Sequence, residues 1–174
     1  MKVLVSAGHS NADPGAVANG QTEATIVTDF RNMVAHYLKA AGHQVVTDGV
    51  GQDNQALSTA VKLAGSGVDL AVEFHCNAAT TAAARGVESI SLPALREQSQ
   101  RISAAVAGVL GSPLRGNRGW IDQSLSARGK LAFVNAGGII VELFFITNPQ
   151  ELAAYQSQKW LVAKAVAAAM QEGR

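Results

Sequence analysis

Short apolar runs that alternate with helical stripes constrain this chain more than any other feature. Residues 3–7 (Val-Leu-Val-Ser-Ala), 44–47, 70–74, 86–92 and 138–143 are brief and apolar or β-branched, and they read as strands. Between the first two, Ile26, Val27, Phe30, Met33, Val34, Tyr37 and Leu38 recur at helical spacing across residues 22–41, and Gly42 follows where a helix ends. Ala56, Leu57, Ala60, Val61 and Ala64 make a second stripe, closed by Gly65 and Gly67. Residues 94–110 read as a third helix. Asn148-Pro149 caps a short helix, and residues 159–170 form a terminal one. Residues 8–20 and 112–130 are rich in Gly, Asn and Pro and read as loops, the second long enough to imply function. Strands alternating with helices predict an α/β fold, one domain over residues 1–174, with a mostly parallel sheet covered on both faces.

Composition narrows the function classes. The net charge of +1 gives no electrostatic footprint for nucleic acid or for stable membrane association. The single cysteine, Cys76, excludes an internal disulfide and a cysteine-based metal site. The first residues, Met1-Lys2-Val3-Leu4-Val5-Ser6-Ala7-Gly8-His9, are too briefly apolar for a secretory signal. The expectation is a product made in a (host) cytoplasm that reaches its target after release.

Three strands share a feature that carries chemistry. Val3–Ala7 leads within two residues to His9, Leu70-Ala71-Val72-Glu73-Phe74 leads to His75, and Ile139-Ile140-Val141 leads to Glu142. Ligands of open α/β sheets bind outside the carboxyl ends of the strands, so these groups are expected at one edge. Glu23 opens the helix after the first strand and can reach the same edge. Two imidazoles and a carboxylate suit a catalytic Zn²⁺ with a position open for water, whose pKa then falls to about 7. A further carboxylate is needed to move the proton, and Glu142 is available. A carboxylate within Ile-Ile-Val-Glu-Leu-Phe-Phe would be costly to bury without a role. Taken alone, each has a plainer reading: His9 as a loop histidine, His75 as a satisfied core histidine and Glu23 as a helix-dipole acid. Strand alternation puts Glu73 on the face of His75, where it either orients that ring or pairs with a basic residue elsewhere. His36 and His43 have no matching constellation and read as structural.

At this point the sequence resembles the zinc-dependent N-acetylmuramoyl-L-alanine amidases of bacterial autolysins and phage endolysins. Four segments carry the resemblance: Gly8-His9-Ser10-Asn11-Ala12-Asp13-Pro14-Gly15-Ala16 with Glu23; Phe74-His75-Cys76-Asn77-Ala78 with Arg85-Gly86-Val87-Glu88; Asn117-Arg118-Gly119; and residues 141–151 around Glu142. Their order covers nearly the whole chain. The resemblance implies a twisted central sheet, zinc held by His9, Glu23 and His75, Glu142 as catalytic acid/base, Asn77 and Arg118 on the substrate, and peptidoglycan as that substrate. Ser10, Glu73 and Phe144 depart from the family's usual glycine, small residue and glycine. With no leader read in the sequence, a phage endolysin is the expected setting.

Other readings compete. A zinc peptidase or deacylase shares the ligand logic but cuts another amide. A non-haem Fe(II) oxygenase also uses two histidines and a carboxylate. Residues 8–20 lack the glycine pattern and lysine of a phosphate cradle. A non-catalytic wall-binding module would leave Glu142 without a purpose.

Overall fold

The computed structural model describes residues 1–172. Its centre is a six-stranded sheet of order β4-β1-β5-β8-β6-β7. The strands are β1 (Lys2–Ala7), β4 (Gln44–Thr47), β5 (Leu70–Asn77), β6 (Glu88–Ser91), β7 (Trp120–Asp122) and β8 (Ile139–Phe145), and β2 (Val17–Ala18) with β3 (Gln21–Thr22) form a separate hairpin. Within the six-stranded sheet the pairings are parallel except β6 with β8. The helices are α1 (Glu23–Ala40), α2 (Leu57–Ala64), α3 (Arg96–Leu110), α4 (Ala132–Asn135) and α5 (Pro149–Ala169).

Strand alternation sorts the residues into two layers. Val3, Val5, Ala7, Val72, Phe74, Val141 and Leu143 join one core with α1, α3 and α5. Leu4, Ala71 and Ile140 join a smaller core with Ala60 and Ala64 of α2 and with Phe133 and Val134 of α4. The second face is the thinly covered one. The same alternation that sends Val72 and Val141 into the large core sends Glu73, His75 and Glu142 onto the thin face.

Two caps fix the helices that matter here. Thr22 accepts from the Thr25 N–H at the start of α1, which sets Glu23 in the first turn. Asn148 accepts from the Gln150 and Glu151 N–H groups, with Pro149 in the first turn of α5.

The fold differs from the sequence expectation in four places. Residues 8–20 are not wholly a loop: Asn19 and Gly20, at φ 50° and 73°, make the tight turn of the β2–β3 hairpin. The stretch 112–130 contains β7 and a turn of 3-10 helix at Gln123–Leu125. The four-residue α4 is too short to show a period. The two C-terminal helices are one, because Gln156, Ser157 and Gln158 contain no breaker and simply continue α5.

Candidate metal centre

His9, Glu23 and His75 come together although they lie on the β1–α1 loop, α1 and β5. Their donor atoms all lie within 4.8 Å of one another. Glu23, buried, bridges the two rings: Oε2 lies 3.0 Å from His9 Nε2, and Oε1 lies 3.0 Å from His75 Nδ1. The backbone N–H groups of Ala16 and Cys76 donate to the same two oxygens. Burial opposes ionisation of Glu23, but the two histidines overcome it and hold its carboxyl far below the usual range.

Each ring is oriented from behind by a second acid. His9 Nδ1 lies 3.0 Å from Asp13, and His75 Nε2 lies 3.1 Å from Glu73. A proton on each of these outer nitrogens leaves the inner nitrogen's lone pair facing the cluster. The hydrogen bond to Glu23 raises the pKa of His9. Burial works to lower that of His75, yet Glu23 and Glu73 lift it well above its ordinary value.

Behind the rings runs a buried polar chain. The Ser6 hydroxyl contacts both Asp48 (2.7 Å) and Glu73 (3.2 Å). Arg31, fully buried, donates to Asp48 and to Asn54. Asn54 in turn donates to the carbonyls of Ala7 and His9. That last bond matters because His9 sits at φ 68°, a left-handed conformation that costs a non-glycine residue roughly 1–2 kcal/mol. Gly8 is required for a different reason: a Cβ there would lie 2.2 Å from the His75 ring.

Glu142 stands opposite His75 in the β5–β8 register. Its Oε2 is buried and has no hydrogen-bond partner among the described residues. Burial, and then the charges of Glu23 and Glu88, push its carboxyl up to about 7, against the pull of His75 and Arg128. A carboxyl poised there is suited to proton transfer near neutral pH.

These groups open into a cleft of about 860 Å³. Its polar wall includes Asn77, Glu88, Arg115 and Arg128, and its apolar wall includes Ile90, Ile121, Leu125 and Ile140. Asn77 donates to Glu88 and accepts from the Ala78 N–H. Arg118 is exposed at φ 54° in the turn before β7, apart from the residues that line the cleft. Glu73 contacts His75 and Ser6 and no lysine or arginine among the described residues. Sequence reasoning missed Asp13, Asp48, Arg115 and Arg128. For Asp13 a signal existed, four residues after His9 in a turn-forming loop. His43 bonds the N-terminus and Gln171, far from the cleft, in keeping with a structural role.

The donor set fits a zinc ion. Tetrahedral Zn²⁺ with ligands at about 2.0–2.2 Å spaces neighbouring donors about 3.3 Å apart. Each imidazole lies 3.0 Å from a different Glu23 oxygen, near that spacing, and the three donors lie within 4.8 Å of one another. The outer acids on both rings are the partners that metal-binding histidines ordinarily have.

A family model described as N-acetylmuramoyl-L-alanine amidase matches residues 3–172. A solved structure assigned as an N-acetylmuramoyl-L-alanine amidase from Neisseria meningitidis shares 41% identity and a TM-score of 0.89, covering 97% of this chain and 93% of that one. The catalytic domain of the amidase CwlV from Bacillus (Paenibacillus) polymyxa var. colistinus has the same fold, with a TM-score of 0.78, 22% identity, and coverage of 99% and 97%. Probable autolysin PH of Staphylococcus aureus is 27% identical over 97% of this chain, which spans 38% of that protein's length.

Proposed function

This chain belongs to the N-acetylmuramoyl-L-alanine amidase family, and from that membership we propose that residues 1–174 form one catalytic domain that hydrolyses the amide between N-acetylmuramic acid and the L-alanine of the peptidoglycan stem. We propose further that His9, Glu23 and His75 hold one Zn²⁺ and that Glu142 is the catalytic acid/base. The observation that carries this reading is a His₂Glu donor set within 4.8 Å, beside a carboxylate whose buried oxygen has no partner among the described residues.

When bound, the metal supplies a Lewis acid that polarises the amide carbonyl and acidifies water. The remaining work falls to side chains of this chain. Glu142 accepts the proton of the attacking water and passes it to the departing alanine nitrogen. Asp13 and Glu73 keep the two imidazoles in one tautomer and one orientation. The cleft, with its apolar wall, receives the muramoyl-peptide.

Mass spectrometry of digested sacculi tests this directly. The expected products are stem peptides with a free N-terminal L-alanine and uncut sugar chains. New reducing sugar ends, or cleavage only between two amino acids of the stem, would replace the amidase reading with a glycosidase or peptidase one.

A further inference from the structure

Arg115 has an arrangement that the proposed chemistry does not use. Its Nε donates to Glu88, which is buried and whose other oxygen accepts from Asn77. Its guanidinium carbon lies 4.9 Å over the ring of Phe145. Gly86 gives its aliphatic stem room, since a Cβ there would lie 2.8 Å from Arg115 Cγ. Three neighbours thus fix the side chain, yet it remains 43% exposed and lines the cleft. The ion pair engages Nε alone. The two Nη groups have no partner among the described residues. A planar fork of free N–H donors, held rigid at a cleft wall, is the arrangement that recognises a carboxylate.

The sheet register sets the distance. His75 lies opposite Glu142, and Glu142 lies opposite Glu88. Two strand spacings of about 4.8 Å place Glu88 about 10 Å across the sheet from His75, with Arg115 beside it. An extended peptide advances about 3.3 Å per residue, so this span corresponds to about two to three residues. The N-acetylated sugars of the glycan carry no charge once the lactyl group is in amide linkage. The stem peptide does carry free carboxylates, so the peptide is the part of the substrate that matches this wall.

We infer that Arg115 is a binding and specificity-determining residue that captures a free carboxylate on the stem peptide, two to three residues beyond the amide that is cut. This rests on the amidase reading above. Arg128, the other arginine of the cleft, is exposed and has no hydrogen-bonded anchor among the described residues, so it does not hold a fixed fork.

The experiment uses soluble muropeptides that differ in one group: a free carboxylate or its carboxamide on the second or the third stem residue. The zinc-loaded parent protein is expected to favour one free acid over its carboxamide by about ten- to a hundredfold in kcat/KM, chiefly through KM, the range for a hydrogen bond to a charged group. In Arg115→Gln the preference is expected to shrink to within about threefold. Arg115→Lys, which keeps the charge but loses the fork, is expected to fall between, and Arg128→Gln to retain the parent's preference. Equal cleavage of acid and carboxamide by the parent overturns the subsite while leaving the amidase activity standing, and this comparison needs no variant. A preference that survives Arg115→Gln, or one that vanishes in Arg128→Gln instead, also overturns it. If neither the muropeptides nor whole sacculi are cut, the amidase reading falls and the subsite with it.

Discussion

Glu142 differs from its acidic neighbours in what it lacks. Glu23 has two histidines and two backbone N–H groups, and Glu73 has His75 and Ser6. Glu142 has a buried oxygen with no partner among the described residues and a pKa raised to about 7. Glutamine has the same shape but cannot accept a proton. Glu142→Gln is therefore expected to keep its fold and, on the proposed zinc site, the parent's zinc content, while turnover falls by about 10²–10⁴. Zinc content, melting and sacculus clearing on one preparation check this; loss of zinc would make Glu142 a ligand, and near-normal turnover would make it structural. The histidines give a second prediction at this scale. Their partners raise both pKa values above the ordinary 6.5, so the metal-free rings hold protons at higher pH than free imidazole does. Zinc must displace those protons. Its apparent affinity is expected to fall as pH falls, starting above pH 6.5 rather than below it, with proton release on binding. Affinity that stays flat down to about pH 6 would mean that these nitrogens are not the ligands.

At the scale of elements, the residues that the sequence made legible are polar groups that interrupt an apolar strand, and the strands run on past them. His75 and Glu142 were visible because a polar group within an apolar run stands out, and α1 because its stripe is long. The short elements were not: β7 has three residues and α4 has four, below the length at which a period declares itself. The Asn19-Gly20 hairpin did have a signal, which the surrounding polar loop obscured. The buried chain Arg31–Asp48–Ser6–Glu73 was invisible for another reason. Its partners are 17, 42 and 67 residues apart, and only strand pairing reveals that they meet. This chain ties the segment after β4 to the ends of β1 and β5. Arg31 and Asp48 are both buried, so Arg31→Met leaves an unpaired carboxylate next to Ser6. The expected cost is about 3–5 kcal/mol. For a domain of this size that is a fall in Tm on the order of 10 °C. Calorimetry of the purified variant checks it, and an unchanged Tm would show that the pair contributes nothing to the fold.

For the whole molecule, one alternation rule couples fold and site. Odd and even positions of β1, β5 and β8 divide between a large core with α1, α3 and α5 and a thin face with α2 and α4. A sheet covered equally on both faces would shut His75, Glu142 and Glu88 away from the cleft, as Glu73 is. The thin face leaves them a cleft instead, which gathers acids beside His9, His75, Arg115 and Arg128 at the site proposed for the metal. The metal-free domain should therefore be distinctly less stable than the loaded one, because the ion would bridge β5, α1 and the loop after β1. Binding to the native state alone adds about 4 kcal/mol at a thousandfold excess over Kd. At about 2–4 °C per kcal/mol, chelation is expected to lower Tm by about 8–16 °C, and added Zn²⁺ to restore it. His75→Ala removes one of the three donors, so its melting is expected to be low and insensitive to both chelator and zinc. Calcium or magnesium, which prefer oxygen ligands, are expected to restore little. A parent protein whose Tm responds to neither chelation nor Zn²⁺ would remove the metal from the account. A His75→Ala variant that still responds to Zn²⁺ like the parent would move the ion to other residues.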